Sequence, residues 1–203
     1  MTKNLLFIIS LLFTASVNAA GVNLIVNGSF EDKDIQTKSW SVYNSIPGWS
    51  TVSGAGIEIR DHVVGDAYHG EQFIELDSHN NSYMIQNVAN TRANQSYLLS
   101  FAYSPRMWQP DYTNGISVFW NSIEIASITA TGGATNQWTM FDFIVQGTGD
   151  DVLGFAAIGK NDSLGGNIDA VSVSAVPLPA TVFMLMPVLV GFFSLRRKLL
   201  TKA

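Results

Sequence analysis

The feature that most constrains the fold is the lack of a helical pattern in the long middle part of the chain. Between Gly21 and Ala175 we find no sustained pattern of apolar residues spaced three and four apart, as an amphipathic helix requires. Short alternating runs occur instead, separated by Gly, Asn, Asp and Pro. Alternation places successive side chains on opposite faces of a strand. The sequence therefore predicts an all-β fold of about ten short strands, in a two-sheet sandwich or jelly roll.

Several runs make the strand prediction specific. Tyr97–Tyr103 and Thr139–Val145 alternate between large apolar and smaller or polar side chains. Ile116–Trp120 and Ile123–Ile128 flank residues 121–122, which are predicted to form a tight hairpin turn. Three tryptophans in or beside such runs are assigned to the core: Trp49, Trp120 and Trp138.

The first 20 residues have the pattern of an export signal. Lys3 precedes the apolar run Leu5–Phe13, and small residues end the segment at Val17–Ala20. A positive charge, an apolar stretch of about 7–15 residues and a small-x-Ala site are typical of a secretory signal peptide. We therefore predict that residues 1–20 are a signal peptide, removed by signal peptidase after Ala19 or Ala20. The alternative is a buried first helix of the domain.

Residues 176–203 contain a second apolar segment. No residue between Val176 and Leu195 is charged, and a basic cluster follows at once. About 20 apolar residues can cross a bilayer as a helix, and basic residues beyond the span favour the cytoplasmic side. Prolines at 177 and 179 delay the start of the helix, which leaves about 16 residues for the span. We predict a short transmembrane helix with the domain outside the cell.

The motif in this segment is Val176, Pro177, Leu178, Pro179 and Ala180, with Arg196, Arg197 and Lys198 behind the span. Together these features resemble the sorting segment of the PEP-CTERM class in its VPLPA variant, over residues 176–203. The resemblance implies a Gram-negative organism that makes exopolysaccharide, and cutting by an exosortase, a membrane cysteine protease. The protein would be anchored transiently in the inner membrane and end at the cell surface or in the extracellular matrix. An ordinary C-terminal anchor fits the same composition.

The charge of the remaining domain excludes one class of partner. The chain has 11 basic and 16 acidic residues, and five of the basic ones but none of the acidic ones lie in the two ends. Residues 21–175 therefore carry six basic and 16 acidic residues, a net charge of −10. Such a domain repels phosphate backbones, so we expect no nucleic-acid partner. The chain has no cysteine, which excludes disulfides, thiolate metal sites and cysteine nucleophiles.

Five segments carry a second resemblance, spread in order over nearly the whole domain: Asn23–Glu31, Pro47–Ser50, Phe73–Asp77, Met84–Arg106 and Gly165–Val173. They resemble the galactose-binding-like jelly roll used by many carbohydrate-binding modules. The same arrangement resembles a group of bacterial secreted domains related to plant cell-wall proteins of unknown function. The expected domain order is thus 1–20 signal peptide, 21–175 jelly-roll β-sandwich and 176–203 sorting segment.

The jelly-roll resemblance also implies a structural calcium ion. In such folds the first and last strands share the ion, and by position Glu31 and Asp169 would supply the carboxylates. Calcium takes six to eight oxygen ligands, which backbone carbonyls would complete. Where relatives often have a second Asp, this chain has Ala170. The alternative is that Glu31 caps a turn and Asp169 pairs with a surface cation.

Sugar recognition in such folds uses loops at one end of the sandwich, where aromatic faces stack on the sugar and polar groups contact its hydroxyls. The leading candidate is the loop 104–114, and a second group lies in the first long loop. The alternative is that these aromatic residues cover the ends of the sandwich. The candidate ligand-binding residues are Arg106, Trp108, Asp111 and Tyr112 in the first group, and Trp40 and Tyr43 in the second.

No motif in the domain indicates an enzyme. There is no nucleophile elbow, zinc-protease motif or phosphate loop. The nearby carboxylates Glu58, Glu71, Glu75 and Asp77 could serve a glycosidase, but they fit a solvated strand face equally well. We therefore expect a non-catalytic surface or matrix protein that binds polysaccharide weakly. The alternatives are a small extracellular polysaccharide hydrolase and a purely structural surface protein.

Overall fold

The computed structural model describes residues 21–177. The predicted signal peptide and the predicted sorting segment from residue 178 onward lie outside the described residues. The described part consists of β-strands and one short 3-10 helix, η1 (Asp111–Thr113). The strands are β1 (Ser39–Tyr43), β2 (Ser45–Ile46), β3 (Trp49–Ser53), β4 (Ile57–Asp61), β5 (Gln72–Glu75), β6 (Tyr83–Val88), β7 (Ser96–Ser104), β8 (Gly115–Trp120), β9 (Ile123–Ile128), β10 (Thr139–Gln146), β11 (Asp151–Ile158) and β12 (Asn167–Ala175).

The strands form two six-stranded sheets. The first sheet has the order β1-β4-β5-β12-β7-β10, and the second has the order β2-β3-β6-β11-β8-β9. Neighbouring strands are antiparallel in both sheets. The predicted all-β sandwich of two sheets is confirmed.

The core lies between the sheets because apolar residues alternate along the strands. Ile59, Ile74, Ile168 and Tyr103 pair across four strands of the first sheet, and all are buried in the core. On β10 the residues Phe141, Phe143 and Val145 face the same side, next to Phe101. Trp49 and Trp120 are buried as predicted, at 1% and 5% exposure, but Trp138 is only half-buried and lies outside the core.

The predicted hairpin between β8 and β9 is confirmed. Trp120 pairs with Ile123, so residues 121 and 122 form a two-residue turn. Asn121 and Ser122 have φ values of +52° and +64°. Two positive φ values characterise the turn whose twist matches that of the flanking strands.

The two ends of the sandwich differ in what they carry. Ser104 pairs with Asn167 at one end of the first sheet, and Tyr97 pairs with Ala175 at the other. We call the first the loop end, because the long connections 105–114, 129–138 and 159–166 leave from it. The second is the terminal end: the Leu24 amide donates to the Val173 carbonyl at 2.8 Å, and a methyl group on Gly21 would lie 3.2 Å from the Ala175 oxygen.

Among residues 21–177, no helix is long and apolar enough to cross a membrane.

Candidate functional site

The outer face of the first sheet, turned away from the second sheet, carries a row of buried polar residues. Glu58, Glu75, Asn167 and Ser104 pair directly across β4, β5, β12 and β7. They alternate with core-facing residues, so their side chains lie on the outer side. All four are less than 4% exposed. The connections that leave from the loop end therefore cover this part of the outer face.

Two arginines neutralise part of this row. Arg60 pairs with both Glu58 and Glu75, and Arg106 Nη1 lies 2.8 Å from Glu75 Oε2. The Gly165 amide donates to the other Glu75 oxygen. Burial nevertheless raises the pKa of Glu75 to about 7, against the opposing effect of the two guanidinium groups. The cluster ties the sheet to two of the loops above it.

Asp77, just beyond β5, holds the segment 162–163 by accepting hydrogen bonds from its backbone amides. Its side chain is fully buried, and Oδ2 accepts the amides of Asp162 and Ser163, both at 3.1 Å. Burial raises the pKa of this carboxyl. Glu75 and Asp77 are therefore buried beneath the segment 162–165, and do not lie on a solvated strand face.

The loop 105–114 is held rigidly by its own backbone and by Asn114. The Asn114 amide nitrogen donates to the carbonyls of Gln109, Pro110 and Ala130, and its oxygen accepts the Arg106 amide at 2.9 Å. The Trp108 amide donates to the Gly133 carbonyl at 3.0 Å. The connections 105–114 and 129–138 are therefore joined by several hydrogen bonds.

The four candidate residues of this loop have different environments. Trp108 and Tyr112 are 72% and 61% exposed, and Asp111 is also exposed in η1. Trp108 has a φ of +64°, a conformation that the surrounding hydrogen bonds maintain. Arg106 points inward, where Glu75 and the Ser163 carbonyl occupy its guanidinium. The two aromatic side chains are presented to solvent, while Arg106 anchors the loop.

The second candidate pair, Trp40 and Tyr43, lies on β1 and does not form a single group. The two residues are three positions apart in a strand, so their side chains lie on opposite faces. Trp40 is half exposed on the outer face, with its ring centroid 6.3 Å from that of His79. Tyr43 packs against the core, and Lys33 Nζ lies 4.3 Å from its ring centroid.

A cleft of about 380 Å³ opens at the loop end, beside the 105–114 loop. One wall comes from the connection between β4 and β5, and the other from the connection between β9 and β10. A single aromatic ring, a carboxylate, an amide and a hydroxyl line it. The lining residues are Gly65, Asp66, Ala67, Met107, Ala134, Thr135, Asn136 and Trp138.

The ring of Trp138 is fixed in the cleft. Its Nε1 donates to the Asp66 carbonyl at 2.9 Å, and its ring meets Phe73 edge-on with centroids 5.7 Å apart. Across the cleft, the Asp66 amide donates to Asn136 Oδ1 at 3.1 Å. Gly65 leaves the space for this contact, because a methyl group there would lie 1.4 Å from the same oxygen. The two walls of the cleft are therefore joined by hydrogen bonds.

Glu31 and Asp169 hold the segment that continues from the first wall. Asp169 Oδ2 accepts the amides of Tyr68 and His69, both at 2.8 Å. Glu31 Oε1 accepts the amides of Glu71 and Gln72, both at 2.9 Å. Burial raises the pKa of Asp169 to about 7, and the nearby Glu31 carboxylate adds to the rise.

This pair partly fits a calcium ion. Both carboxylates supply the hard oxygen donors that calcium prefers, and a cation would relieve the repulsion between them. Glu31 uses only one of its two oxygens for the amides. The residues 21–177 contain no group of three or more His, Asp or Glu side chains that could hold a metal, so backbone carbonyls would have to complete the shell.

Comparison with known proteins finds similarity to small parts of very long chains. No family model matches the sequence. The chain is 28% identical over 151 residues to a multifunctional-autoprocessing repeats-in-toxin of Vibrio vulnificus; the match covers 73% of this chain and 3% of the toxin. It is 29% identical over 136 residues to Halomucin of Haloquadratum walsbyi, covering 63% of this chain and 1% of that protein. The chain thus spans only a few per cent of the length of these curated relatives.

Solved structures share the fold. The Stig cyclase Fisc from Fischerella sp. TAU has a TM-score of 0.54 at 15% identity, covering 76% of this chain and 97% of its own. The arabinose-bound α-L-arabinofuranosidase MgGH51 has a TM-score of 0.53 at 10% identity, covering 77% and 27%. A carbohydrate-binding module, TmCBM61 in complex with β-1,4-galactotriose, has a TM-score of 0.48 at 18% identity, covering 76% and 99%. Such identities establish likeness of fold alone.

Sequence reasoning missed the cleft residues Asp66, Asn136 and Trp138. The position of Trp138 could have been inferred, because it shares the parity of Met140 and Asp142 and opposes that of Phe141. Asp66 and Asn136 are 70 residues apart and belong to irregular segments. No periodicity in the sequence could have brought them together.

Proposed function

We propose that this protein is a non-catalytic, exported surface or matrix protein whose domain binds a glycan in the loop-end cleft. The observation that carries the proposal is the indole of Trp138, fixed at the cleft wall between Asp66 and Asn136. A sugar ring stacks its C–H face on an aromatic ring, while carboxylate and amide groups bind its hydroxyls. The exposed Trp108 directly follows Met107, which lines the cleft.

The charge of the domain favours a neutral or weakly charged glycan. Residues 21–175 carry a net charge of −10, and Asp66 is the charged residue that lines the cleft. Arg106, the nearest candidate cation of the adjoining loop, is paired with Glu75. A polyanion would meet like charge here, because none of the described residues that line the cleft is a cation.

The binding proposal is tested by titrating the purified full-length protein, in mild detergent, with β-1,4-galactotriose and with neutral polysaccharides. We expect saturable binding without release of new reducing ends. Trp138→Ala should abolish it, while Ile123→Ala, at a 69% exposed position on β9 of the second sheet, should not. Turnover of a polysaccharide would favour the hydrolase, and indifference to every glycan in wild type would favour the purely structural surface protein.

We further propose that the ends of the chain direct export. Residues 1–20 would be a signal peptide, and residues 176–203 would be a sorting segment cut by an exosortase at the VPLPA motif. The sequence patterns described above support this. Mass spectrometry of the mature protein should show a new N-terminus at Ala20 or Gly21 and loss of the tail beyond the motif. An intact Met1, or a tail that still carries Arg196–Lys198, would contradict it.

We propose that calcium binds at Glu31 and Asp169 and stabilises the fold. The ion would neutralise two carboxylates that lie close together without an ion pair to Lys or Arg among the described residues. Calcium should raise the melting temperature of wild type, and a chelator should reverse the rise. The same titration of Glu31→Gln should show a weaker response. A melting temperature indifferent to both additions would exclude a structural calcium ion.

A further inference from the structure

One continuous segment connects the cleft with the Glu31–Asp169 pair. Gly65, Asp66 and Ala67 form the cleft wall. The residues that follow at once, 68–72, are the ones whose amides the two carboxylates accept. The chain therefore passes within a few residues from the wall of the cleft to the amides bound by Glu31 and Asp169. We call these four hydrogen bonds the anchor.

The anchor is strong because it consists of several hydrogen bonds, half of them to a fully buried carboxyl group. Four backbone amides donate to two carboxylate oxygens, at 2.8–2.9 Å. Asp169 is fully buried. Gly70 lies directly against Glu31, where a methyl group would come within 2.3 Å of Oε1. Hydrogen bonds to ionised acceptors are about twice as strong as neutral ones.

Two contacts link the anchored segment to Trp138 in the cleft. The Tyr68 ring meets the Trp138 ring edge-on, with centroids 6.2 Å apart. Two residues earlier, the Asp66 carbonyl accepts the Trp138 indole hydrogen bond. A shift of Tyr68 would therefore move both the partner ring and the acceptor that orient Trp138.

We infer that Glu31 and Asp169 are positioning residues of the cleft: they hold residues 68–72 so that Asp66 and Tyr68 fix the indole of Trp138. The effect of these two residues on glycan binding rests on the proposed function. Their effect on the orientation of Trp138 does not. The pair acts through the loop and touches no ligand. Occupation of the pair by a cation would then change the cleft as well as the stability of the fold.

The test uses Asp169→Asn and Glu31→Gln, with Asp32→Asn as the matched control. Asp32 is an exposed carboxylate beside Glu31, and no hydrogen bond of the described residues uses its side chain. The readout is the indole N–H signal of Trp138 by NMR, assigned by its loss in Trp138→Phe. Trp120, whose Nε1 donates to the Gln146 carbonyl at 2.8 Å, is an internal reference.

In both test variants we expect the Trp138 indole proton to shift, and its exchange with solvent to rise about tenfold. Amides of residues 65–72 should lose protection, while the Trp120 indole and the Asp32→Asn protein stay as in wild type. A role in stability alone would lower the melting temperature without this selective change at Trp138. If Asp169→Asn does not fold, the half-buried Glu31→Gln decides the question. An unchanged Trp138 signal in folded Glu31→Gln would overturn the inference.

Binding of β-1,4-galactotriose is then measured on the same proteins. Affinity should fall about fivefold or more in the test variants, because a mobile wall must be ordered on binding. If wild type does not bind the trisaccharide either, the proposed function fails for this probe, and the indole signal still decides the positioning role.

Discussion

Trp138 and Asp66 are 72 residues apart in the chain, yet the indole Nε1 of Trp138 donates a hydrogen bond to the Asp66 carbonyl at 2.9 Å. This bond joins the connection before β10 to the connection after β4, and the two connections form opposite walls of the cleft. The shape of the cleft therefore depends on one long-range contact that neither sheet provides.

Trp138→Phe should remove this bond and keep most of the ring against Phe73. We expect the free energy of unfolding to fall by about 1 kcal/mol, the usual net value of one hydrogen bond. Urea denaturation measures it. Trp108→Phe, at a 72% exposed position, is the control and should change stability by less than about 0.5 kcal/mol. Equal losses in the two variants would mean that the indole bond contributes nothing.

Gly65→Ala should displace the Asn136 side chain and lower the stability of the fold. The added methyl group would lie 1.4 Å from Asn136 Oδ1, and the φ of +116° is itself unfavourable for alanine. Gly149→Ala is a matched control, because its φ is +109° but nothing lies within 4 Å of the new methyl group. Backbone strain should cost about 1–2 kcal/mol in each, and Gly65→Ala should lose about 1–3 kcal/mol more through the clash. Thermal denaturation of the pair separates the two effects, and similar losses would argue against the observed packing of Asn136.

Glu75→Gln should change how stability depends on pH. The pKa of Glu75 in the folded protein is about 7, above its usual 4.5, so the protonated group contributes stability that is complete below about pH 4.5. That contribution is lost as the pH rises through about 7, where the buried carboxyl must ionise. Between about pH 5 and pH 8 wild type should lose about 1–3 kcal/mol relative to Glu75→Gln. Asp169 titrates in the same window but is present in both proteins, so it cancels. A difference that stays constant over this range would show that Glu75 is ionised throughout.

Asn167→Leu should be tolerated or stabilising. Asn167 is fully buried between Glu75 and Ser104, and neither polar atom of its side chain has a hydrogen-bond partner in the described residues. An unsatisfied buried polar group costs about 1–3 kcal/mol, which an apolar side chain of similar size avoids. Asn114→Leu is the contrasting variant, since it breaks four hydrogen bonds and should lose about 3 kcal/mol or more. A large loss in Asn167→Leu would reveal a buried water or ligand at the amide.

The sheets could be predicted from the sequence because their information is local. Tyr97–Tyr103 and Thr139–Val145 alternate in the sequence, and in the structure they pair with each other residue by residue. The turn at Asn121 and Ser122 was evident from two flanking runs of similar length. Alternation over a few residues decides which face is buried, whatever the distant chain does.

The site depends on contacts between distant segments, and there the sequence was less informative. Arg106 had the properties of a ligand-binding side chain, but Glu75, 31 residues earlier, pairs with it and draws it inward. The strand that Trp138 adjoins predicts a core position for it, but its parity along that strand sets it on the outer face. Charged residues at alternate strand positions, such as Glu58 and Arg60, could belong to a solvated face or to a buried cluster. Only the loops above them decide which.

Gly21 and Ala175 lie side by side at the terminal end, so the polypeptide enters and leaves the domain at nearly one point. A force that pulls the two ends of the domain apart would act on the contacts between the first residues and the end of β12, and would open them one after another. The cleft lies toward the opposite, loop end, and its lining residues take no part in these contacts. A force on the two ends of the domain is therefore applied at the end of the sandwich that lies away from the cleft.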